Sequence, residues 1–146
     1  MTTAFRHVDV DPASPVGSWP YEALVACIER GGVRDWARLT TAIAEEPWGD
    51  VARQVELIVA DVRPYGVGPL LQRAIERSRD EARRHEGEVV ASEVAALVRR
   101  SGMSLAALAA RLGTSGSRLS TYRSGQVVPS ATFMVRLRET VARLDE

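Results

Sequence analysis

The sequence predicts an all-α protein, and three observations lead to that prediction. From Ser18 onward apolar residues recur at helical spacing, no stretch alternates apolar and polar residues as a strand does, and Gly or Pro ends most of the helical patterns. With 146 residues, 45% of them hydrophobic and 26% charged, the chain is long enough for one domain or two very small ones with a buried core. We therefore expect a small N-terminal helical bundle followed by a second helical module.

The chain is predicted to begin with a tail and a first helix. Residues 1–17 are rich in Pro, Asp and Ser, which is typical of a flexible tail or an extended strap. The first helix has Ser18 as its candidate N-cap and ends at Gly31. Its apolar face consists of Tyr21, Leu24, Val25 and Ile28.

Three more helices are predicted before residue 87. Pro47 stops the second helix and opens the third, which ends at the Pro64-Tyr65-Gly66 turn. The fourth begins near Pro69 and runs into the charge-dense stretch ERSRDEARRHEGE, which predicts a solvated helix face or a linker helix against another subunit. The apolar residues of the three helices are Val33, Trp36, Leu39 and Ile43, then Val51, Val55, Ile58, Val59 and Val62, then Leu71, Ala74, Ile75 and Ala82.

The last third of the chain is also predicted to be helical. A fifth helix starts at Val90, and a kink or a break near Gly87 is expected to separate it from the fourth. The remainder of the chain is interpreted as three short helices and one closing helix around Phe133 and Leu137.

The distribution of charge also divides the chain near residue 87. The 19 basic and 19 acidic residues cancel, but residues 1–87 carry a net charge of −3 and residues 88–146 one of +3. We therefore divide the chain into a tail (1–17), a helical region for dimerisation or partner binding (18–87) and a basic module (88–146). A basic local surface attracts polyanions even when the average charge is zero.

Residue usage argues against several classes of chemistry. The chain has no Lys, which excludes Schiff-base and P-loop lysine chemistry, and the single Cys27 allows neither an internal disulfide nor a cysteine zinc cluster. Cys27 lies among apolar residues, which favours a buried inert thiol over a nucleophile. His7 and His85 have no ligand partners at helical spacing, so we expect no metal site. The acidic and Gly residues form no catalytic constellation either, so we expect no cofactor and no enzyme activity.

The N-terminal half carries the remaining candidates. The first twenty residues hold charges and no long apolar run, so we expect neither a signal peptide nor a membrane span. The expected location is therefore the cytoplasm. Trp19, Trp36 and Trp48 are interpreted as anchors of a core or an interface, with a cage for a small-molecule effector as the weaker interpretation.

The most informative segment is residues 104–130, SLAALAARLGTSGSRLSTYRSGQVVPS. An apolar face on Leu105, Leu108 and Leu112 predicts one short helix, and Gly113 ends it. Thr114-Ser115 can cap a second short helix. Two short helices that meet across a Gly turn, with a small residue at Ala109 to let them approach closely, make a helix-turn-helix.

The segment resembles the helix-turn-helix of the phage-repressor family, which includes Cro-like and xenobiotic-response-element (XRE) regulators. The resemblance covers about Val94 to Leu144, and it implies a lambda-repressor-like domain in which residues 115–124 form the recognition helix in the major groove. The matching positions are Leu108, Ala109, Leu112, Gly113, Ser115, Leu119, Gly125, Pro129 and Ser130.

The candidate DNA-binding residues follow from this placement. With Leu119 and Tyr122 turned inward, hydroxyl groups, two Arg and a Gly that allows close approach are expected to point outward. Arg118 is the candidate for the strongest base contact, because its guanidinium matches guanine O6 and N7. The full set is Ser115, Gly116, Ser117, Arg118, Ser120, Thr121, Arg123, Ser124 and Gln126; Ser117 and Thr121 are expected to share base reading, and Ser115, Ser124 and Gln126 to hold phosphates.

The chain departs from the family pattern at three positions. Many family members pair an Arg in the first helix with a Glu before the Gly that follows the recognition helix; here these positions hold Val98 and Arg123. Because both have changed together, no lone buried charge is left, and Arg123 is expected to face solvent or phosphate. Leu105 stands where the family often has a polar residue that contacts phosphate, which implies a weaker grip there.

Two functions remain open at this stage. The first is a sequence-specific transcriptional regulator that binds a palindromic operator in double-stranded DNA as a homodimer. The alternative is an antitoxin-like interaction protein, whose N-terminal helices bind a protein partner while the helix-turn-helix serves autoregulation.

Overall fold

The computed structural model describes residue 5 and residues 7–146, and in this part of the chain it contains helices and no strand. The prediction of an all-α fold is confirmed. A short 3-10 helix, Val16–Ser18, precedes seven α-helices. These are α1 Tyr21–Arg30, α2 Val33–Glu45, α3 Asp50–Val62, α4 Val67–Ser101, α5 Leu105–Arg111, α6 Gly116–Ser124 and α7 Ala131–Leu144.

The chain divides into two compact units. Unit one comprises residues 1–82 and unit two residues 83–146, so the division lies inside α4, a few residues before the boundary expected at residue 87. No helix of the described chain combines the length and the apolar character needed to cross a bilayer.

Unit one is built around α1, α2, α3 and the first part of α4. Leu24, Ile28, Leu39 and Ile43, all predicted to lie on apolar faces, are almost completely buried, as are Val55 and Ile58. Trp36 Nε1 donates a hydrogen bond to the Cys27 carbonyl at 3.0 Å. The predicted cap of α1 was wrong: the N-cap is Pro20, and Ser18 belongs to the 3-10 helix.

The segment before α1 packs against α2. Arg38 donates to the carbonyls of Pro12 and Ser14 at 2.5 and 2.9 Å, and its guanidinium carbon lies 4.6 Å from the centre of the Trp19 ring. Val16 and Trp19 are buried. Of the predicted tail, residues 1–4 and 6 lie outside the described residues, and its flexibility stays a prediction.

The charge-dense stretch of α4 includes one structural Arg. Arg79 forms a two-pronged ion pair with the Glu56 carboxylate at 2.7 and 3.0 Å and donates to the Pro47 carbonyl at 2.9 Å. The hydrogen bonds to Glu56 raise the pKa of Arg79. Most residues of this stretch are exposed, as a solvated face predicts, but Arg79 binds α4 to α3 and to the loop that precedes α3.

Of the kink or break predicted near Gly87, the break was wrong, because Gly87 lies inside the continuous helix α4. Helix-forming residues flank it on both sides, and they outweigh the cost of one Gly, about 1 kcal/mol relative to Ala. The predicted number of short helices was also too high: after α4 the structure has two short helices, α5 and α6, and the closing helix α7.

Replacing Gly87 by Ala is expected to stabilise the protein by about 0.5–1 kcal/mol, because it removes a poor helix former from a helix interior. A Cβ at this position would make an ordinary contact, 3.8 Å from Val128 Cγ2. Urea unfolding of the full chain measures the effect. The matched control is Gly125→Ala, where a φ of 82° predicts a loss of about 1–2 kcal/mol. A destabilising Gly87→Ala would contradict the continuous helix.

Cys27 is fully buried in unit one, and burial together with the negative charge of Asp35 raises the pKa of its thiol to about 12. Because this pKa exceeds that of an unfolded Cys, about 8.5, the protonated thiol supports folding below that pH, and its contribution is lost as the pH rises toward 12.

We therefore expect iodoacetamide to label Cys27 of the native protein very slowly at neutral pH and rapidly in urea, as measured by mass spectrometry. Labelling of the native protein at the rate of the urea-unfolded chain would contradict the buried position.

Candidate nucleic-acid interface

The helix-turn-helix begins with α5. Its N-cap is Ser104, whose Oγ accepts a hydrogen bond from the Ala107 N–H at 3.2 Å. Leu108 and Ala109 are buried, as the apolar pattern predicted. They belong to the core of unit two, which also contains Val94, Val98, Leu112, Leu119, Phe133, Met134, Leu137 and Val141.

The turn after α5 has the geometry that ends a helix at a Gly. Gly113 takes a φ of 69°, a left-handed conformation that favours Gly. Its N–H donates to the Ala110 carbonyl at 3.3 Å, and the Thr114 N–H donates to the Ala109 carbonyl at 3.0 Å. These two bonds reverse the chain and bring it directly to the start of α6.

Helix α6 starts where the sequence predicted. Ser115 is its N-cap, and the Ser115 Oγ accepts a hydrogen bond from the Arg118 N–H at 3.1 Å. Gly116 differs from its prediction: instead of pointing outward, it is half-buried and turned to α5, where a Cβ would lie 3.6 Å from Ala106 Cα. At that distance a Cβ would make an ordinary van der Waals contact with α5.

The inner side of α6 is fixed by apolar contacts. Leu119 is completely buried, and the ring of Tyr122 lies 5.0 Å from that of Phe133, centre to centre. At its C-terminal end, Gly125 takes a φ of 82°. A Cβ on Gly125 would lie 3.4 Å from that of Ala91 in α4. The helix is therefore held at both ends and along one side.

The opposite side of α6 carries hydroxyl groups. At about 100° per residue, and with the direction of Leu119 as zero, Ser117, Thr121 and Ser124 lie at about 160°, 200° and 140°. Arg118 lies at about 260°, on one flank of this hydroxyl face, and is exposed. Of the residues predicted to point outward, three hydroxyl residues therefore lie together on the side opposite Leu119, and the Arg118 guanidinium lies beside them.

Ser120 and Arg123 lie away from this hydroxyl face. Ser120 is half-buried on the other flank, at about 100°. Arg123 is exposed, as predicted, but its direction is only about 40° from that of Leu119, close to that of Gly116. Its guanidinium therefore starts from the side of the helix that faces the domain, about 140° away from Arg118.

The hydroxyl groups of α6 differ in how their protons are used. The Ser115 and Ser117 hydroxyls share one hydrogen bond of 3.2 Å, which uses one of their two protons. Thr121 Oγ1 donates to the Arg118 carbonyl at 2.7 Å, and Ser124 Oγ donates to the Thr121 carbonyl at 3.2 Å. Ser124 Oγ also accepts from the Gln126 N–H at 3.5 Å, while the Gln126 side chain is exposed.

In unit two, most guanidinium groups of α4 and α7 bind a carboxylate or a carbonyl of the protein, whereas the two guanidinium groups of α6 do not. Arg100 pairs with Asp145, and Arg138 binds the Glu93 carboxylate with two hydrogen bonds, which hold the pKa of that carboxyl below its usual value. In the part of the chain that the structure describes, the guanidinium groups of Arg118 and Arg123 make no hydrogen bond or ion pair. Arg118 can therefore reach a ligand without breaking an internal contact.

The departures from the phage-repressor pattern have a structural counterpart. Val98 is buried in the apolar core of unit two, and the exposed Arg123 leaves no unpaired charge inside. Leu105 packs against the same core, so this side chain is directed to the interior and offers no polar group to a phosphate.

The other candidates of the sequence do not assemble into a site. Trp19 is buried and Trp36 is half-buried, whereas Trp48 is 44% exposed. His7 and His85 are both exposed, and no three His, Cys, Asp or Glu residues of the described chain are grouped as metal ligands.

Neither the curated proteins nor the solved structures contain a match to this chain. A comparison with protein-family models matches residues 89–145 to the helix-turn-helix domain. The match covers α5, the Gly113 turn, α6 and α7, together with the last part of α4. The all-α chain therefore has a C-terminal helix-turn-helix domain.

Proposed function

We propose that this chain is a sequence-specific DNA-binding transcriptional regulator of the XRE class. One observation carries the proposal: α6 is anchored on one side by Leu119, and on the other it presents hydroxyl groups beside the exposed Arg118, whose guanidinium has no internal partner. Such a helix has the dimensions and the donor and acceptor groups that the DNA major groove accommodates.

The binding mode follows from the arrangement of α5 and α6. With α6 in the major groove, α5 crosses above it, and the N–H groups at the start of α6 face the phosphate backbone. Ser115 and Ser117 retain one free hydroxyl proton, which suits a phosphate oxygen. Arg118 reads guanine through two hydrogen bonds.

The protein acts as a homodimer in this proposal. One domain with a single strong base-reading Arg does not reach the roughly 4–10 kcal/mol that separates specific from non-specific binding, whereas two half-sites about 34 Å apart do. Unit one supplies the dimer contact through exposed apolar residues: Tyr65 is completely exposed, and Leu57 and Leu70 are exposed by 60% and 49%. A dimer reads a palindromic operator, and the cytoplasm is the location where it meets DNA.

The test is a selection of bound sequences from random double-stranded DNA with the full chain, at two salt concentrations. We expect a palindromic consensus, and an affinity that falls with salt in proportion to the number of phosphates contacted. Sedimentation with and without the selected DNA measures the oligomeric state. Failure to enrich any sequence would overturn the proposed function, and a non-palindromic site bound by a monomer would overturn the dimer.

The exposed apolar residues of unit one also favour the antitoxin-like function as a second candidate. In that case they bind a different protein, and the acidic balance of residues 1–87 suits a basic partner. Co-expression with the product of an adjacent short reading frame distinguishes the two: a stable complex supports the antitoxin, whereas a homodimer that ignores this product supports the first candidate.

A further inference from the structure

We propose that Thr121 selects an A·T base pair in the DNA site, through its hydroxyl oxygen and its methyl group together. The inference rests on the proposed function, since it assumes that α6 enters the major groove. It adds the class of base pair that this position of the helix prefers.

Thr121 lies on the part of the hydroxyl face that is opposite the core. It follows Leu119 by two residues, about 200° around the helix, so Thr121 and Ser117 lie about 20° to either side of the direction opposite Leu119, and Thr121 is half-buried there. In a helix that packs against its own domain through Leu119, the opposite side is the one that reaches the floor of a groove.

The hydroxyl proton of Thr121 is already used. Oγ1 donates to the Arg118 carbonyl at 2.7 Å, a normal distance for such a bond. A hydroxyl has one proton and two lone pairs, so Oγ1 remains available to DNA as an acceptor. The groups that can donate to it in the major groove are the amino groups of adenine N6 and cytosine N4.

The methyl group decides between these two bases. Thymine carries a methyl group in the major groove, and apolar contact with a Thr methyl is one of the ways in which proteins recognise it. An A·T pair presents an amino donor and a methyl group together, whereas a G·C pair presents an amino donor without a methyl group. Both parts of the Thr121 side chain are therefore satisfied by A·T.

The neighbouring hydroxyls differ from Thr121 in this respect. Ser117 and Ser115 retain one free proton between them, so this pair suits acceptors, such as phosphate oxygens or the acceptor groups of base edges. Ser124 both donates and accepts within the protein, and it carries no methyl group. Thr121 is thus the hydroxyl of this face that combines a free acceptor with an apolar group.

The proposal also fixes the position of the A·T pair. Thr121 lies three residues after Arg118, about 4.5 Å along the helix, so the two side chains reach bases that lie close together in the groove. We therefore expect the A·T pair next to the guanine that Arg118 reads.

The experiment measures binding of the full chain to its selected site with single bases replaced. In the A·T pair next to the guanine, 2-aminopurine in place of adenine moves the amino group out of the major groove, and uracil in place of thymine removes the methyl group. Three proteins are compared: the wild type, Thr121→Val, which keeps a methyl group and the branched shape but lacks the oxygen, and Thr121→Ser, which keeps the oxygen but lacks the methyl group.

We expect each replacement to weaken binding of the wild type by about 3- to 10-fold, the effect of one hydrogen bond or one apolar contact. Thr121→Val should become insensitive to 2-aminopurine but stay sensitive to uracil, and Thr121→Ser should show the reverse. Circular dichroism verifies that both variants fold.

The outcomes separate this inference from the function beneath it. A selected site without an A·T pair beside the guanine, or a Thr121→Val protein as sensitive to 2-aminopurine as the wild type, would overturn the inference and leave DNA binding intact. A selection that enriches no DNA would overturn the proposed function and the inference with it.

Discussion

Replacing Leu119 by Ala is expected to destabilise unit two by about 2–5 kcal/mol and to abolish DNA binding with it. Leu119 is completely buried, and truncation of such a side chain removes its transfer free energy and leaves a cavity. It belongs to the same core as Leu108 and Leu112 of α5. The loss is a large fraction of the 5–15 kcal/mol that stabilises an ordinary domain.

The measurement combines urea unfolding, followed by circular dichroism, with amide hydrogen exchange in α5, α6 and α7, which localises the loss. The fluorescence of Trp19, Trp36 and Trp48 provides an internal comparison, because the three Trp residues lie in unit one. The matched control is Val135→Ala in α7: Val135 is 49% exposed, so its loss should change stability by no more than about 0.5 kcal/mol. Equal effects of the two substitutions would contradict the position of Leu119 in the core.

Features of the fold that depend on neighbours in sequence were predictable. Gly113 was placed at a helix end, and Ser115 at a cap, because left-handed turns and caps are decided within a few residues. Apolar spacing likewise identified central buried positions of α1 to α3, such as Leu39 and Ile58, but it failed at the ends of the helices, where Tyr21, Val33 and Val62 are exposed.

Features that depend on distant residues were not predictable in the same way. Arg79 lies in a stretch with every sign of solvation, and its partner Glu56 is 23 residues away, a distance that no local pattern bridges. A Gly such as Gly87 is typical of a helix end when it is considered alone, yet the helix-forming residues on both sides keep α4 continuous at this position.

The candidate site shows the same division. The helix, its cap and its exposed Arg118 follow from residues 104–130, whereas the orientation of Gly116 depends on where α5 lies. The use of the Thr121 proton requires the distance of Oγ1 to the Arg118 carbonyl, which a sequence does not contain. The sequence thus predicts which helix to examine, and the structure assigns donors and acceptors on it.

Replacing Arg118 by Ala is expected to weaken binding to the selected DNA by about 5- to 150-fold, which corresponds to about 1–3 kcal/mol, and to relax the base preference at one position of each half-site. The guanidinium is exposed and without an internal partner, so its removal leaves the fold intact. Binding to random DNA should decrease much less, because phosphate contacts supply most of it. Quantitative gel shifts at two salt concentrations measure both affinities.

Two matched variants identify the cause of the loss. Arg118→Lys keeps the charge but lacks the two-pronged geometry, so it should retain the salt dependence of the wild type and still lose the guanine preference. Arg123→Ala removes the same group from the same helix, about 140° away, so it should weaken binding to all sequences alike and reduce the salt slope by at most about one. If Arg123→Ala instead relaxed the base preference while Arg118→Ala did not, the hydroxyl face of α6 would point away from the bases, and the helix would enter the groove on its other side.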